Sequence, residues 1–334
     1  MQLTVEPKDV SDAYSTPIVQ QTSFWSRVKA NLGMRSKAFE FSVRNSDLYT
    51  DVGGWSRTNA DLLMFAQYCS SDEYVAYLPY GPEIEPSEEN QGRFLEELSE
   101  CLRSYLPKGC LAIRYDLNWQ SHWCKEGDFD AEGNWRGCPR KEFQEMHMNY
   151  GTATWNLFKA NMNEVREMGP EALGLWYDLY SQTAHRNGLH VNDRRYFESV
   201  IASRMQCSDP EVSVKLLMAF HEEKPLAAMF LILSAHRATY LYGASATKGR
   251  HLMPTYALQW CAMQTAKRAG CSEYDLFGVA PNADPSHPMH GLYRFKTGFG
   301  GQMYHQMGCW DYPLDMDGYR QFAAREMSMP GYYA

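Results

Sequence analysis

No stretch of this 334-residue chain approaches the roughly eighteen uninterrupted apolar residues of a membrane-spanning helix. The longest apolar run, Leu226 to Leu233, suits a buried strand. Net positive charge is also missing. A formal charge of −8 argues against wholesale coating of nucleic acid or an anionic bilayer, although a local basic groove is compatible with it. The nine cysteines include no CxxC pair, and their odd number and irregular spacing suit reduced thiols better than a disulfide framework. His122, Cys124, Cys138 and His147 match no common zinc module and sit among Trp119, Trp123 and Trp135, so a structural loop is expected there and no metal. Low-complexity tracts, short repeats, heptad runs and Ser-His-Asp or Cys-His motifs are absent as well. The opening MQLTVEPKDVSD is polar and acidic, unlike a secretory or transit segment, and a cytoplasmic protein is expected.

What is present is apolar content of 44%, enough for a large core and two domains. Thr22 to Leu32 reads as a helix capped by Thr22 or Ser23, with Phe24, Val28 and Leu32 on one face. Strands follow at Phe39 to Val43, Leu62 to Tyr68 and Tyr74 to Leu78, then an amphipathic helix over Gly92 to Tyr105 and a strand from Cys110 to Tyr115. Residues 117 to 150 look irregular. Beyond them come helices at Glu171 to Arg186 and Tyr196 to Met205 and a hairpin of Val214 to Phe220 with Leu226 to Leu233. A strand at Ala238 to Tyr242, a helix at Pro254 to Ala269 and a strand at Tyr274 to Phe277 follow. The second half thus runs helix, helix, three strands, helix, strand, helix, strand, the order of a GNAT acyltransferase. The first half repeats it loosely. The expected class is α/β (α+β): two tandem GNAT-like domains, each a mixed sheet flanked by helices, over 1–150 (completed by 310–334) and 151–309.

Acetyltransferases of that type hold coenzyme A pyrophosphate on the amides of a glycine-rich turn at a helix N-terminus. The corresponding segment, Ser245 to Thr255, lacks the pattern and carries Leu252 and Met253 where small residues are needed. No coenzyme A, and no other cofactor, is expected. Further on, Gly291-Leu292-Tyr293-Arg294-Phe295-Lys296-Thr297-Gly298-Phe299-Gly300-Gly301 places a lysine beside a kinked, glycine-rich backbone, a device for gripping an anion. A plainer reading is a helix end, Tyr293 to Thr297, capped by Gly298 and followed by a strand from Gln302.

Tyr240-Leu241-Tyr242-Gly243-Ala244-Ser245, Pro254 to Trp260, Tyr274-Asp275-Leu276-Phe277-Gly278-Val279 and Gly291 to Gly301 are similar, in order and spacing, to the FemABX family. So are Gln21 to Lys29 and Thr183-Ala184-His185-Arg186-Asn187-Gly188. The resemblance is to members without a coiled-coil arm. One departure lies between Gly151 and Gly169, where the family's basic Met-Lys-x-Lys-x-Arg-Tyr-Asn-Ile-like stretch is replaced by unrelated residues.

That family builds peptidoglycan interpeptide bridges, moving an amino acid from aminoacyl-tRNA to an amine on the stem peptide of a cell-wall precursor. The resemblance therefore implies aminoacyl-tRNA as co-substrate and a UDP-MurNAc-peptide or its lipid-linked form as acceptor. A lipid-linked acceptor would bring peripheral contact with the inner membrane face; DNA is not implied. The family's Phe-Lys pair falls on Phe295 and Lys296. Lys296 would stabilise the oxyanion or bind the tRNA acceptor end, and Phe295 would support it or stack on the terminal adenine. Lys29 and Arg186 match phosphate-contacting positions, one in each domain. His190 falls where relatives have Tyr, and Tyr242 and Asp116 also carry over to substrate binding, Asp116 with a base role in view. The plainer alternatives are a core Phe295, a solvated Lys296, an exposed helix Lys29 and a helix-terminal Arg186 favourable to the dipole. Rival functions are an N-acyltransferase of the same fold with another donor or acceptor, and a non-catalytic module binding a nucleotide-sugar or RNA.

Overall fold

A computed structural model describes residues 1–12, 16–121, 144–148, 163–188, 192–206, 212–280 and 283–328, with backbone only for 144–148 and 302. The first half holds β1 (Leu3–Lys8), α1 (Ser23–Ala30), β2 (Ser36–Arg44), the single turn α2 (Asn45–Leu48), β3 (Arg57–Tyr68), β4 (Tyr74–Pro79), α3 (Glu88–Arg103) and β5 (Cys110–Gln120). The second holds β6 (Gln144–Met148), β7 (Glu164–Met168), α4 (Leu173–Asn187), α5 (Arg194–Gln206), β8 (Val212–His221), β9 (Lys224–Ser234), β10 (Arg237–Ser245), α6 (Pro254–Arg268), β11 (Glu273–Asp275) and α7 (His290–Thr297). The long β12 (Gln302–Pro313) and α8 (Met316–Met327) close the chain.

The expected helix and strand orders of both halves hold, and each half is a mixed sheet flanked by helices. Each contains one parallel neighbour pair, β4 with β5 and β10 with β11, among antiparallel ones. What sequence reading leaves out is the seam. The strands run β1-β2-β3-β4-β5-β12-β6-β11-β10-β9-β8-β7 as one twelve-stranded sheet. β12 does the joining: Gln302 to His305 pair with β6, and Gln306 to Pro313 pair with β5. The strand expected from Gln302 runs as far as Pro313, because its second part completes the first half's sheet.

Local rules explain the elements. Thr22 caps α1 by accepting from the Trp25 amide at 3.3 Å. Glu222 and Glu223, both at positive φ, make the tight turn between β8 and β9. Pro254 opens α6 and Gly188, at φ 64°, closes α4. α1 is the element that welds the halves. Its Phe24, Trp25 and Val28 share one apolar cluster with Trp176, Phe197 and Phe230 of the second half. Ser199 on α5 donates to the Val28 carbonyl at 2.8 Å, and Asn31 donates to Ser203 at 3.2 Å. No described helix is long and apolar enough to cross a membrane.

Candidate functional site

Two groups of side chains gather along the joint between the halves. The first lies at the end of β10. Lys29, on the last turn of α1, puts its ammonium 5.3 Å from the Trp25 ring and 5.5 Å from the Tyr196 ring. Burial lowers its pKa, since desolvation penalises the charged form. The Tyr196 hydroxyl is 2.6 Å from that of Tyr242, and burial pushes Tyr242 up to about 12. Three residues further along the strand, roughly 10 Å at strand rise, Ser245 receives two bonds from Arg186. These run to its carbonyl at 3.1 Å and its hydroxyl at 2.9 Å. Both acceptors are neutral, so the guanidinium charge is oriented but not cancelled. Desolvation lowers the pKa of Arg186, and the nearby Arg250 cation adds to the effect. Lys29, Tyr242 and Arg186, far apart in sequence and drawn from both halves, thus share one neighbourhood.

The second group surrounds the end of β11. β10 and β11 pair for only three residues, Arg237 to Thr239 against Glu273 to Asp275, before β11 ends. Phe277 follows with φ 60°, a left-handed conformation that costs a bulky residue on the order of 1–3 kcal/mol. Its amide donates to the Asp275 carboxylate at 2.7 Å, and its carbonyl accepts from the Lys296 ammonium at 3.0 Å. Lys296 also donates to the Gly278 carbonyl and lies 5.6 Å from the Tyr240 ring. Far from being solvated, Lys296 is only 3% exposed. Phe295 is half-buried and packs edge-on against Tyr256 and Phe299, with ring centroids 4.9 and 5.2 Å away. The helix reading of this stretch holds, but Gly298 caps it in a right-handed conformation, and the left-handed glycine is Gly300.

Opposite Phe277 stands Tyr80, also left-handed at φ 55°, its ring 6.0 Å away. The two rings border a shallow crevice between the halves, lined by the Pro17–Gln20 segment, Asn118, Arg237, Thr239 and Asp275. Asp116 lies two residues from Asn118 on the same face of β5 and accepts from the Tyr77 hydroxyl at 2.8 Å. Burial, and secondly the Asp116 charge, raise the Tyr77 pKa. His190 lies outside the described residues, as do His122, Cys124, Cys138 and residues 151–162 of the departure between Gly151 and Gly169; of His147 only the backbone is described.

The family model of the FemAB family matches residues 213–324, which contain Tyr242, Asp275, Phe277, Phe295 and Lys296. Over those residues the chain is similar to the FemAB family. It is similar to the Lipid II:glycine glycyltransferase of Staphylococcus saprophyticus, 32% identical over 90 residues, which cover 27% of this chain and 22% of that protein. A second relative, the Lipid II:glycine glycyltransferase of Staphylococcus aureus (strain USA300), is 30% identical over 108 residues, 31% of this chain and 26% of the relative. The chain therefore spans about a quarter of the length of the curated relatives it matches. The crystal structure of FemX shares the fold: TM-score 0.69 at 16% identity, covering 93% of this chain and 96% of that one.

Tyr80, Asn118, Thr239 and Asp275 received no role from the sequence. Asp275 sits inside a motif quoted for the family resemblance. Asn118 carries no local signal, because its place in the crevice depends on how the two halves meet.

Proposed function

We propose that this chain is an aminoacyltransferase. In this reading it moves an amino acid from aminoacyl-tRNA to an amine on the stem peptide of a peptidoglycan precursor, forming an interpeptide bridge. The observation that carries it is that Lys29 and Arg186, from opposite halves, both lie near the end of β10, Lys29 through Tyr196 and Tyr242 and Arg186 through Ser245. Two desolvated cations with a third, Arg250, close by suit a diphosphate, the anionic feature shared by a UDP-linked and a lipid-linked precursor. The names of the staphylococcal relatives favour the lipid-linked acceptor and glycine as the transferred residue.

The reaction is aminolysis of an ester. The acceptor amine attacks the carbonyl joining amino acid to ribose, the oxygen becomes an oxyanion, and collapse expels the ribose hydroxyl as the amine proton departs. An activated ester asks for positioning and charge stabilisation rather than a protein nucleophile. Lys296 is the cation assigned to the oxyanion, with Phe295 fixing its helix through Tyr256 and Phe299. Asp116, a carboxylate on the face of β5 that leads into the crevice, is the candidate acceptor of the amine proton.

Aminoacyl-tRNA is preferred to coenzyme A as donor because the turn before α6 consumes its own amides. Leu252 N donates to the Gly249 carbonyl and Met253 N to the Arg250 carbonyl, both at 3.0 Å, and Pro254 has no N–H. The test is incubation with a radiolabelled aminoacyl-tRNA pool and a UDP-MurNAc-peptide or its lipid-linked form. Label is expected in the peptide. Transfer from coenzyme A thioesters alone would reverse the assignment.

A further inference from the structure

The loop between α2 and β3 carries Trp55, at 83% exposure the most exposed large apolar side chain among the described residues, and Val52 at 38%. It is a built loop. Leu48 is fully buried beneath it, the Asn45 amide donates to the Ser56 carbonyl at 2.9 Å across its neck, and the Thr58 hydroxyl donates to the Asn45 side chain at 2.7 Å. Its tip, Gly53 and Gly54, stands clear of the body, since a Cβ on either would meet no atom within 4 Å. We propose that this loop is a membrane anchor: Trp55 and Val52 enter the headgroup layer of a phospholipid bilayer, and Arg44 and Arg57 take lipid phosphates at its base.

An indole, apolar in its body and polar at its N–H, is suited to that layer. Arg44 and Arg57 are direct partners across β2 and β3, a like-charged pair that costs stability until an anion joins it. Their hydrogen bonds go to neutral groups, Arg44 to the Gln2 side chain and Arg57 to the Ser42 hydroxyl and carbonyl at 2.9 and 2.8 Å. The Arg44 guanidinium lies 4.5 Å from the Trp55 ring, so the ring can enter apolar surroundings while the charge beside it stays with phosphate. Asp47 and Asp51 balance the two arginines, and the loop carries no net charge. That neutrality and the aliphatic Val52 disfavour RNA, whose backbone calls for several uncompensated cations. They fit a surface entered by apolar insertion.

The loop's position suits the lipid-linked acceptor of the reading above, on which the choice of a bilayer rests. Gln21 donates to the carbonyls of both Leu63 and Pro79, which sets those residues level, and Tyr80 of the crevice follows Pro79. From Leu63 back to Arg57, β3 rises roughly 20 Å, so Trp55 projects from the crevice end of the sheet. The segment that leaves the crevice also grips the loop. The Ser87 amide donates to the Leu48 carbonyl at 2.9 Å, and the Ser87 hydroxyl accepts from the Thr50 amide at 3.2 Å.

The experiment sediments the full chain with vesicles of equimolar phosphatidylcholine and phosphatidylglycerol. Binding is expected, and Trp55→Ser should weaken it about tenfold, the double variant Arg44→Gln/Arg57→Gln about threefold. Trp310→Ser, at an indole 43% exposed on β12, should bind as wild type. In transfer assays Trp55→Ser should raise the KM for a lipid-linked acceptor in vesicles and leave that for a UDP-linked acceptor unchanged. No vesicle binding, binding indifferent to Trp55→Ser, or an equal loss in Trp310→Ser would overturn the anchor. So would a loss of tRNA affinity in Trp55→Ser with vesicle binding intact, which would give the loop to RNA. Vesicle binding with the expected variant pattern, but no transfer from any aminoacyl-tRNA, would instead overturn the transferase reading and leave the anchor in place.

Discussion

Lys296 is an ammonium almost completely removed from water. An ammonium so placed is tolerated because carbonyl oxygens replace its hydration, here those of Phe277 and Gly278. Lys296→Met keeps the bulk and removes the charge. Turnover is expected to fall at least tenfold in the transfer assay, with native circular dichroism retained. Stability should drop by about 1–3 kcal/mol as two carbonyls lose their donor. Near-wild-type transfer by this variant would remove Lys296 from the reaction. His305 gives a prediction readable by pH. Burial lowers its pKa to about 4 from an ordinary 6.5. The unfolded chain therefore takes up a proton below pH 6.5 that the folded chain refuses until about pH 4. Stability should decline across that window as pH falls, by a total on the order of 3 kcal/mol. His305→Gln is expected to flatten this slope in urea titrations between pH 7 and 4; an unchanged slope would place the acid sensitivity elsewhere.

At the scale of elements, one arginine ties β12 and α8 to β5 alongside the backbone ladder between β12 and β5. Arg114 on β5 donates in a fork to Asp311 on β12 at 2.7 Å and reaches Glu326 on α8 at 2.7 Å. It also lies 5.3 Å from the Phe322 ring. Removing it leaves two carboxylates, 12% and 27% exposed, without their cation. Arg114→Gln should cost about 3 kcal/mol by chemical denaturation, and Glu326→Gln, at the wetter partner, less than about 1 kcal/mol. Equal losses from the two would mean that the arginine serves α8 alone. The strand order of each half was legible because apolar runs and turn residues are local signals. Glu222 and Glu223 between two apolar strands and Pro254 at the head of α6 are examples. β1 was not legible: its LTVEPK sequence buries only Val5, so no alternation stands out. β7, with EVREM and no fully buried side chain, escaped for the same reason.

For the whole molecule, the diphosphate reading requires both halves at once. Lys29→Met and Arg186→Met should each raise the KM for a UDP-linked acceptor about tenfold with little change in kcat. The double variant should lose less than the product of the two, because one anion is shared. Fully multiplicative losses would indicate two separate anion contacts. α1 makes the arrangement rigid, since its apolar face belongs to the second half's core while its Lys29 looks along the joint.

Composition, periodicity and motif spacing alone determined the α/β class, the element order in each half and the family likeness, because these depend on neighbours a few residues apart. The Gly291 to Gly301 stretch could be recognised in this way. Its sequence could not show that Lys296 turns inward onto the carbonyls after β11. Only the tertiary structure decided that β12 joins two sheets into one and that Lys29 and Arg186 both lie near the end of β10. It alone also placed Asn118 and Asp275 in one crevice. Each of these facts rests on contacts between residues separated by dozens to hundreds of positions, and the one apolar cluster that α1 shares with the second half helps bring them together.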